Sequence, residues 1–156
     1  MKASSAMLLP AMAALSGALA LAADPPGRTY IEHVMPPGAK ALPFSDAVLE
    51  GNTLYVAGHL GLDPATGNAA ADAATEAHLV LDAVQKTLGR AGLSMEDLVS
   101  VTVYCTDLAL YDTFNGIYQG YFHGHHPARA FIGTDKLLRG AHFEVLGVAV
   151  KNPGRR

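Results

Sequence analysis

The chain has 156 residues, of which 50% are hydrophobic and 16% are charged, so it is long enough for one packed domain and too apolar for an intrinsically disordered protein. The formal net charge is −3 and the longest basic run is Arg155-Arg156, which argues against the clustered basic surface of a nucleic-acid-binding protein. The single cysteine, Cys105, excludes an internal disulfide, and its apolar surroundings favour a small buried side chain over a reactive thiol.

The first 23 residues have the composition of a secretory signal peptide. Lys2 supplies a positive start, an Ala- and Leu-rich stretch follows, and small residues at Ala20 and Ala22 fit a cleavage site. The pattern predicts a periplasmic or secreted protein with no stable membrane insertion after cleavage; an uncleaved membrane tether is the alternative. The predicted divisions are a signal peptide over 1–23, a linker over 24–28, a domain over 29–151 and a tail over 152–156.

Three strands are predicted at the start of the domain. Residues 29–34, 44–49 and Thr53–Leu60 are rich in apolar, β-branched and aromatic side chains, and a proline-rich loop separates the first two. Glu50, Gly51 and Asn52 lie between the second and third strands. They have the length and chemistry of a hairpin turn, so we expect these two strands to pair.

Two helices with apolar stripes are also predicted. Residues 72–91 carry apolar side chains at helical spacing, with Asp72 as a suitable N-cap and Gly92 where a helix commonly ends. The second helix is predicted over 109–122, where an aromatic stripe is more typical of a core than of a ligand pocket. Further strands are predicted over Leu98–Cys105, 129–133 and 142–150.

The order of these elements predicts the fold class. Strands and helices mix without regular alternation, which indicates an α+β domain rather than a doubly wound one. Two amphipathic helices are expected to cover one face of the sheet. The other face also carries apolar residues and has no third layer to cover it, so the sequence predicts self-association.

Arg129 is the leading candidate for a binding residue. It follows His126-Pro127-Ala128 at a predicted strand start, and its planar guanidinium matches a carboxylate with two parallel hydrogen bonds. Glu144, on the following strand, is an acid suited to holding a water beside the bound anion. The pair therefore predicts a small-carboxylate site with a water-positioning group. A structural ion pair of Arg129 with Glu144 or with an acid at a subunit interface is the alternative.

The chain resembles the RidA (YjgF) family over nearly all of residues 29–151. Each matching segment is short, but their order and spacing together are specific. The segments that carry the resemblance are Gly51–Gly58, Asp63–Gly67, Val101–Tyr104 with Asp107-Leu108, Phe114-Asn115, Tyr118, Phe122, His126–Arg129 and Glu144.

The resemblance implies a chorismate-mutase-like fold and a homotrimer with clefts at its subunit interfaces. It implies hydrolysis of enamines and imines derived from amino acids, with neither a metal nor an organic cofactor. Arg129 matches the arginine that binds the substrate carboxylate, and Glu144 matches the acid that activates water. Gly58 and Phe131 match positions whose backbone lines the site, and Asn115 matches an asparagine near the cleft, although a helix-surface hydrogen bond explains Asn115 equally well.

The chain departs from the family pattern at three positions. The family's Gly-Pro-Tyr-Ser run has Phe44 in place of its tyrosine, Ala57 replaces a Ser or Thr, and Phe131 replaces a frequent Cys. Phe44 and Phe131 thus remain at substrate-binding positions without the polar groups. If those groups position water, the rate should fall, and Phe131 could narrow the cleft.

Two functions of different classes follow. The first is a deaminase acting on enamines and imines, for which Arg129 and Glu144 retain the minimal chemistry. The second is a trimer that binds a small carboxylate or metabolite without turnover, which export and the lost hydroxyls favour. A ribonuclease function is disfavoured by the acidic net charge and the predicted export.

The histidines offer weaker candidates. His123, His125 and His126 resemble a metal cluster but lie at a predicted helix end, where histidines commonly cap carbonyl groups. No metal site is therefore predicted. His59 follows Gly58, and it either faces the cleft as a replacement polar group or has a plain structural role.

Overall fold

The computed structural model describes residues 27–35 and 37–152. The predicted signal peptide, most of the predicted linker and residues 153–156 of the predicted tail lie outside the described residues. Within the described part of the chain, no helix is both long enough and apolar enough to cross a membrane.

A six-stranded mixed sheet forms the base of the domain. Its strands are β1 (Arg28–Ile31), β2 (Ala47–Glu50), β3 (Thr53–Leu60), β4 (Leu98–Cys105), β5 (Ala128–Gly133) and β6 (Phe143–Val150). The spatial order is β1-β2-β3-β6-β4-β5, and only the β4–β5 pair is parallel. The last strand in sequence therefore lies in the middle of the sheet, with β4 between it and the edge strand β5.

The first helix, α1 (Ala73–Arg90), confirms the predicted capping. The Asp72 side chain accepts a hydrogen bond from the backbone N–H of Thr75 at 2.8 Å, as an N-cap does. Gly92 has a positive φ of 74°, and the next amide, that of Leu93, returns to the Leu88 carbonyl. This is the left-handed C-terminal cap for which glycine is suited.

The second helix, α2 (Tyr111–Tyr118), is shorter than the predicted 109–122. One-turn 3₁₀ segments flank it at Leu108–Leu110 and Gln119–Tyr121. The Asp107 side chain accepts from the Ala109 amide and so begins the first of them. Gly116 and Gly120 lie in the C-terminal part of the predicted helix, and each costs about 1 kcal/mol relative to alanine there because glycine loses more backbone entropy on becoming helical. This cost favours the early end.

The helices pack on one face of the sheet, as predicted for an α+β domain, and the core lies between the two layers. Its fully buried members include Leu54, Leu81, Val84, Leu88, Val103, Cys105, Phe114, Phe143 and Val145. The opposite face keeps large apolar side chains exposed, with Tyr55 at 54% and Ile132 at 41%. Self-association across this face stays a prediction.

The strand boundaries differ from the predicted ones mainly before the first hairpin. β1 ends at Ile31 rather than at residue 34, and β2 begins at Ala47 rather than at residue 44. Pro43 has no N–H to donate to a sheet ladder, so the segment around it stays a loop. Phe44 consequently lies outside the sheet. The hairpin turn is confirmed, with Gly51 at a φ of 58°.

Cys105 is fully buried, and its thiol donates to the backbone carbonyl of Asp107 at 3.1 Å. Burial raises the pKa of the Cys105 thiol, which keeps it protonated and poorly nucleophilic. The structure thus favours the buried side chain over the reactive thiol.

Candidate active site

Arg129 lies near the start of edge strand β5 and projects toward the helices. It is the register partner of Val101 in β4, and Val101 is 2% exposed in the core. Register partners in a sheet point to the same face, so the Arg129 side chain lies on the helix-covered side. There its Nη2 donates to the Oδ1 of Asn115 on α2, at 2.7 Å. Asn115 therefore has a defined contact with the guanidinium rather than with the backbone of its own helix.

Three aromatic rings surround the guanidinium of Arg129. Its central carbon lies 4.6 Å from the ring centroid of Tyr118, 5.6 Å from that of Phe131 and 5.9 Å from that of Tyr111. Cation–π contacts of this kind hold the guanidinium by its faces. The N–H groups in its plane are the part suited to a carboxylate, and Asn115 occupies only one of the five.

The ring of Tyr118 packs against the guanidinium of Arg129. The residue is 4% exposed, and its hydroxyl is buried without a hydrogen-bond partner. Burial raises the pKa of Tyr118 to about 12, although the positive charge of Arg129 opposes the shift. The hydroxyl is therefore neutral at physiological pH, and the contribution of Tyr118 to Arg129 comes from its ring.

Replacing Tyr118 separates the ring from the hydroxyl. We expect Tyr118→Phe to keep the affinity of Arg129 for a carboxylate ligand, and Tyr118→Leu to weaken it about 3- to 10-fold because the cation–π platform is lost. Titration with a small carboxylate measures both affinities.

Tyr118 also makes the stability of the fold depend on alkaline pH. Because burial holds the Tyr118 pKa near 12, above the unfolded value of about 10, the contribution of the neutral Tyr118 to the free energy of unfolding is present below pH 10 and is lost as the pH rises through 12. Thermal unfolding of Tyr118→Phe should lack that alkaline loss; equal losses in both proteins would contradict the assignment.

Glu144 lies on the opposite face of the sheet, in β6. Its register partners are Leu60 in β3 and Tyr104 in β4, whereas its neighbours in sequence, Phe143 and Val145, are buried against the helices. The alternation of side chains along a strand therefore directs Glu144 to the face that no helix covers.

Gly58 gives the Glu144 carboxylate its space. The β3–β6 register shifts between Val56 and His59, which indicates a bulge at Ala57 and Gly58. A Cβ added at Gly58 would collide with Oε1 of Glu144 and lie 3.0 Å from its Cδ. The Glu144 carboxylate thus rests directly against the Gly58 backbone, which brings these two predicted site residues together.

Gly58→Ala tests this close approach. The colliding atoms belong to the end of a flexible side chain, so we expect the fold to persist while the Glu144 carboxylate moves. If that carboxylate is catalytic, a displacement of about 1 Å should lower kcat about 10- to 100-fold with little change in melting temperature. Gly89→Ala is the matched control, because a Cβ there meets nothing within 4 Å. Equal kcat values for the two variants would contradict the contact.

Arg129 and Glu144 do not meet within one chain, so their predicted pairing stays a prediction for a site between subunits. The strands that carry them are consecutive in sequence, but β4 lies between them in the sheet, and the two side chains project from opposite faces. The alternative of an ion pair with Glu144 is likewise not found in one chain, because the opposite faces keep the two charges apart. Strands that are consecutive in sequence are separated here because strand order is set by pairing between distant segments.

The remaining predicted residues lie in different surroundings. Phe44 is 53% exposed in the loop before β2, and Phe131 packs edge-to-face on Tyr111 with ring centroids 5.0 Å apart. His59 bonds to the Thr87 hydroxyl of α1 at 2.8 Å, so it has a structural role on the helix side. The ring of His126 lies 5.3 Å from that of Phe122.

One buried polar residue near the site was missed by the sequence analysis. Glu76 on α1 is fully buried and accepts hydrogen bonds from the backbone amides of His142 and Phe143, just before Glu144. The available signal was its spacing, because Glu76 stands four residues before Val80 within the apolar stripe of α1. An acid in such a stripe indicates a buried polar contact.

Comparisons with known proteins agree on one family. The sequence profile of the family described as endoribonuclease L-PSP matches residues 37–151. Human 2-iminobutanoate/2-iminopropanoate deaminase is 35% identical over 127 residues, covering 81% of this chain and 92% of the human protein.

Solved structures extend this similarity to the fold. A putative endoribonuclease from Thermotoga maritima superposes with a TM-score of 0.67 at 34% identity, over 70% of this chain and 87% of the other. The crystal structure of E. coli TdcF with bound serine gives a TM-score of 0.71 at 30% identity, over 80% and 99%.

Proposed function

This chain belongs to the RidA/YjgF family, and from that membership we propose that it hydrolyses imines and enamines derived from amino acids, releasing ammonia and a 2-oxo acid. The observation that carries the proposal is the guanidinium of Arg129, held by Asn115 and three aromatic rings with N–H groups left for a carboxylate. Human, bovine and rat relatives at 35–36% identity are named imine deaminases.

The chemistry divides between two side chains. Arg129 binds the substrate carboxylate through charge-assisted hydrogen bonds and so places the C=N carbon. Glu144 takes a proton from water as the oxygen attacks that carbon, and then returns this proton to the nitrogen. The hydroxyl of the resulting carbinolamine loses its proton as the C=O bond forms, the C–N bond breaks, and ammonia departs. General-base catalysis of this kind typically contributes about 10²–10⁴ in rate.

We propose that each site is shared by two subunits of a homotrimer. In one chain Arg129 and Glu144 lie on opposite faces of the sheet, so a second copy is required to bring an arginine to the glutamate. The apolar side chains left exposed on the open face, such as Tyr55 and Ile132, support association across that face. Light scattering should give about three chain masses.

A mixing experiment tests the shared site directly. Arg129→Ala and Glu144→Gln chains, each nearly inactive alone at imine concentrations well below KM, are unfolded together and refolded as mixed trimers. If a site takes its arginine and its glutamate from different chains, half times half of the sites, about a quarter, regain both groups. Restored activity near that fraction supports the shared site. Activity no higher than that of the separate variants would overturn it.

Binding without turnover is the second candidate function. Phe44, Ala57 and Phe131 replace two hydroxyls and a thiol of the family pattern, which favours a site that holds a small carboxylate without activating water. The TdcF structure holds serine, an amino acid with a carboxylate of the size that Arg129 would bind. A ribonuclease function has less support, because the net charge is −3.

The activity assay separates these candidates. Imines are generated in situ from several L-amino acids by an amino-acid oxidase, and their loss is followed with and without the protein. We expect accelerated loss in the presence of the protein. Binding of small carboxylates without acceleration of any imine would instead establish the binding function.

We further propose that the protein is exported, on the strength of the signal-like residues 1–23. Fractionation of cells expressing the full chain, followed by mass determination of the product, should find a shortened protein outside the cytoplasm. A full-length protein in the cytoplasmic fraction would overturn the proposal.

A further inference from the structure

Glu76 is a fully buried acid with an unusually complete set of partners. Its Oε1 accepts from the backbone amides of His142 at 2.7 Å and of Phe143 at 2.8 Å. Its Oε2 lies 2.7 Å from Nδ1 of the His142 ring. A buried carboxylate is costly unless it is paired and hydrogen-bonded, and here both oxygens are engaged. The side chain therefore joins α1 to the chain that enters β6.

The same residue also contacts the end of β3. Gly61 follows Leu60, the register partner of Glu144, and a Cβ at Gly61 would lie 2.6 Å from Cγ of Glu76 and against its carbonyl. Only a glycine permits α1 to approach this closely. Glu76 thus touches both strands of the β3–β6 pair at the end where Gly58 and Glu144 meet.

Volume alone does not require an acid at this position. The neighbouring buried positions of α1, such as Ala77 and Val80, are apolar, and an apolar side chain would fill the space without the cost of burying a carboxylate. Only a hydrogen-bond acceptor can bind the two backbone amides of His142 and Phe143 at the start of β6. These bonds fix the height and direction with which the strand enters the sheet.

We propose that Glu76, with His142, is a positioning residue that holds the entry to β6 and thereby aims the Glu144 carboxylate beside Gly58. The expected effect of Glu76 on turnover rests on the proposed function. The hold of Glu76 on the start of β6 does not depend on that function. Arg129 is on another strand and the opposite face. Loss of Glu76 should therefore affect the water-activating step and leave the carboxylate clamp intact.

The kinetic test compares substitutions at Glu76. We expect Glu76→Met, which keeps length and helix propensity, to lower kcat about 10- to 100-fold while KM stays within about twofold. Glu76→Gln retains a carbonyl oxygen for the two amides and should restore kcat to within about threefold of wild type. Val84→Ala, on the same helix and 2% exposed, is the control for lost stability alone. Wild-type kcat in folded Glu76→Met, or a rise in KM that accounts for the loss, would overturn the proposal.

Amide hydrogen exchange gives a readout that needs no activity. Glu76→Met should speed exchange at the amides of His142 and Phe143 and leave the exchange rate of the Arg129 amide in β5 unchanged. Val84→Ala should not speed exchange selectively at His142 and Phe143. If wild type hydrolyses no imine, the proposed function fails and the exchange data still decide the positioning. Should Glu76→Met not fold, Glu76→Asp and Glu76→Gln carry the same comparison, and unchanged exchange in Glu76→Asp would count against the inference.

Discussion

Arg129→Ala is expected to abolish most of the imine hydrolysis. Each charge-assisted hydrogen bond to a carboxylate contributes about 1.5–3 kcal/mol, so losing both should lower kcat/KM about 10²- to 10⁴-fold, mainly through KM. Arg129→Lys keeps the charge but lacks the planar fork and should recover only part of the loss. Steady-state kinetics on an imine with a free carboxylate measure these effects.

The control for Arg129 is a cation outside the site. Lys136 is exposed in the segment between β5 and β6, and Lys136→Ala removes the same charge without touching the aromatic cluster. Its kinetics should match wild type. An unchanged KM in folded Arg129→Ala would contradict the clamp. A further check is an imine whose carboxylate is esterified, since wild type and Arg129→Ala should then perform alike.

Glu144→Gln is expected to reduce turnover rather than binding. The amide has the size of the carboxylate and fits against Gly58, but it does not accept a proton from water. We therefore expect kcat to fall about 10²- to 10⁴-fold while KM changes little. Single-turnover measurements at saturating imine read the chemical step directly.

Asp135→Asn is the matched control, because Asp135 is an exposed acid in the same β5–β6 segment. It should leave kcat unchanged. Full turnover in the Glu144→Gln protein would show that another group acts as the base.

Most of the local structure was predictable because local chemistry sets it. The boundaries of β3 and β4 coincide with the predicted ones, and the Asp72 and Gly92 caps of α1 are where sequence placed them. Alternation, helical spacing and cap residues act within a few positions of one another. The early end of α2 was not predicted, since its aromatic stripe continues into a 3₁₀ turn.

The candidate site was predictable in its residues and not in its arrangement. The order of motifs identified Arg129, Asn115, Gly58 and Glu144, and the structure joins them into two pairs. Arg129 contacts Asn115 across the β5–α2 contact, and Glu144 rests on Gly58 across the β3–β6 ladder. The aromatic stripe that contains Tyr118 was predicted to be core in preference to a ligand pocket, and the Tyr118 ring is both buried and in contact with the guanidinium.

By itself the sequence determined the family, the α+β class, the hairpin and the identity of the charged side chains, because these follow from residue types and their spacing. The tertiary structure alone decided that β4 separates β5 from β6, that Arg129 and Glu144 face opposite ways, and that Glu76 reaches the entry to β6. Strand order and register are set by pairing between distant segments and by which face the helices cover. No local pattern contains that information.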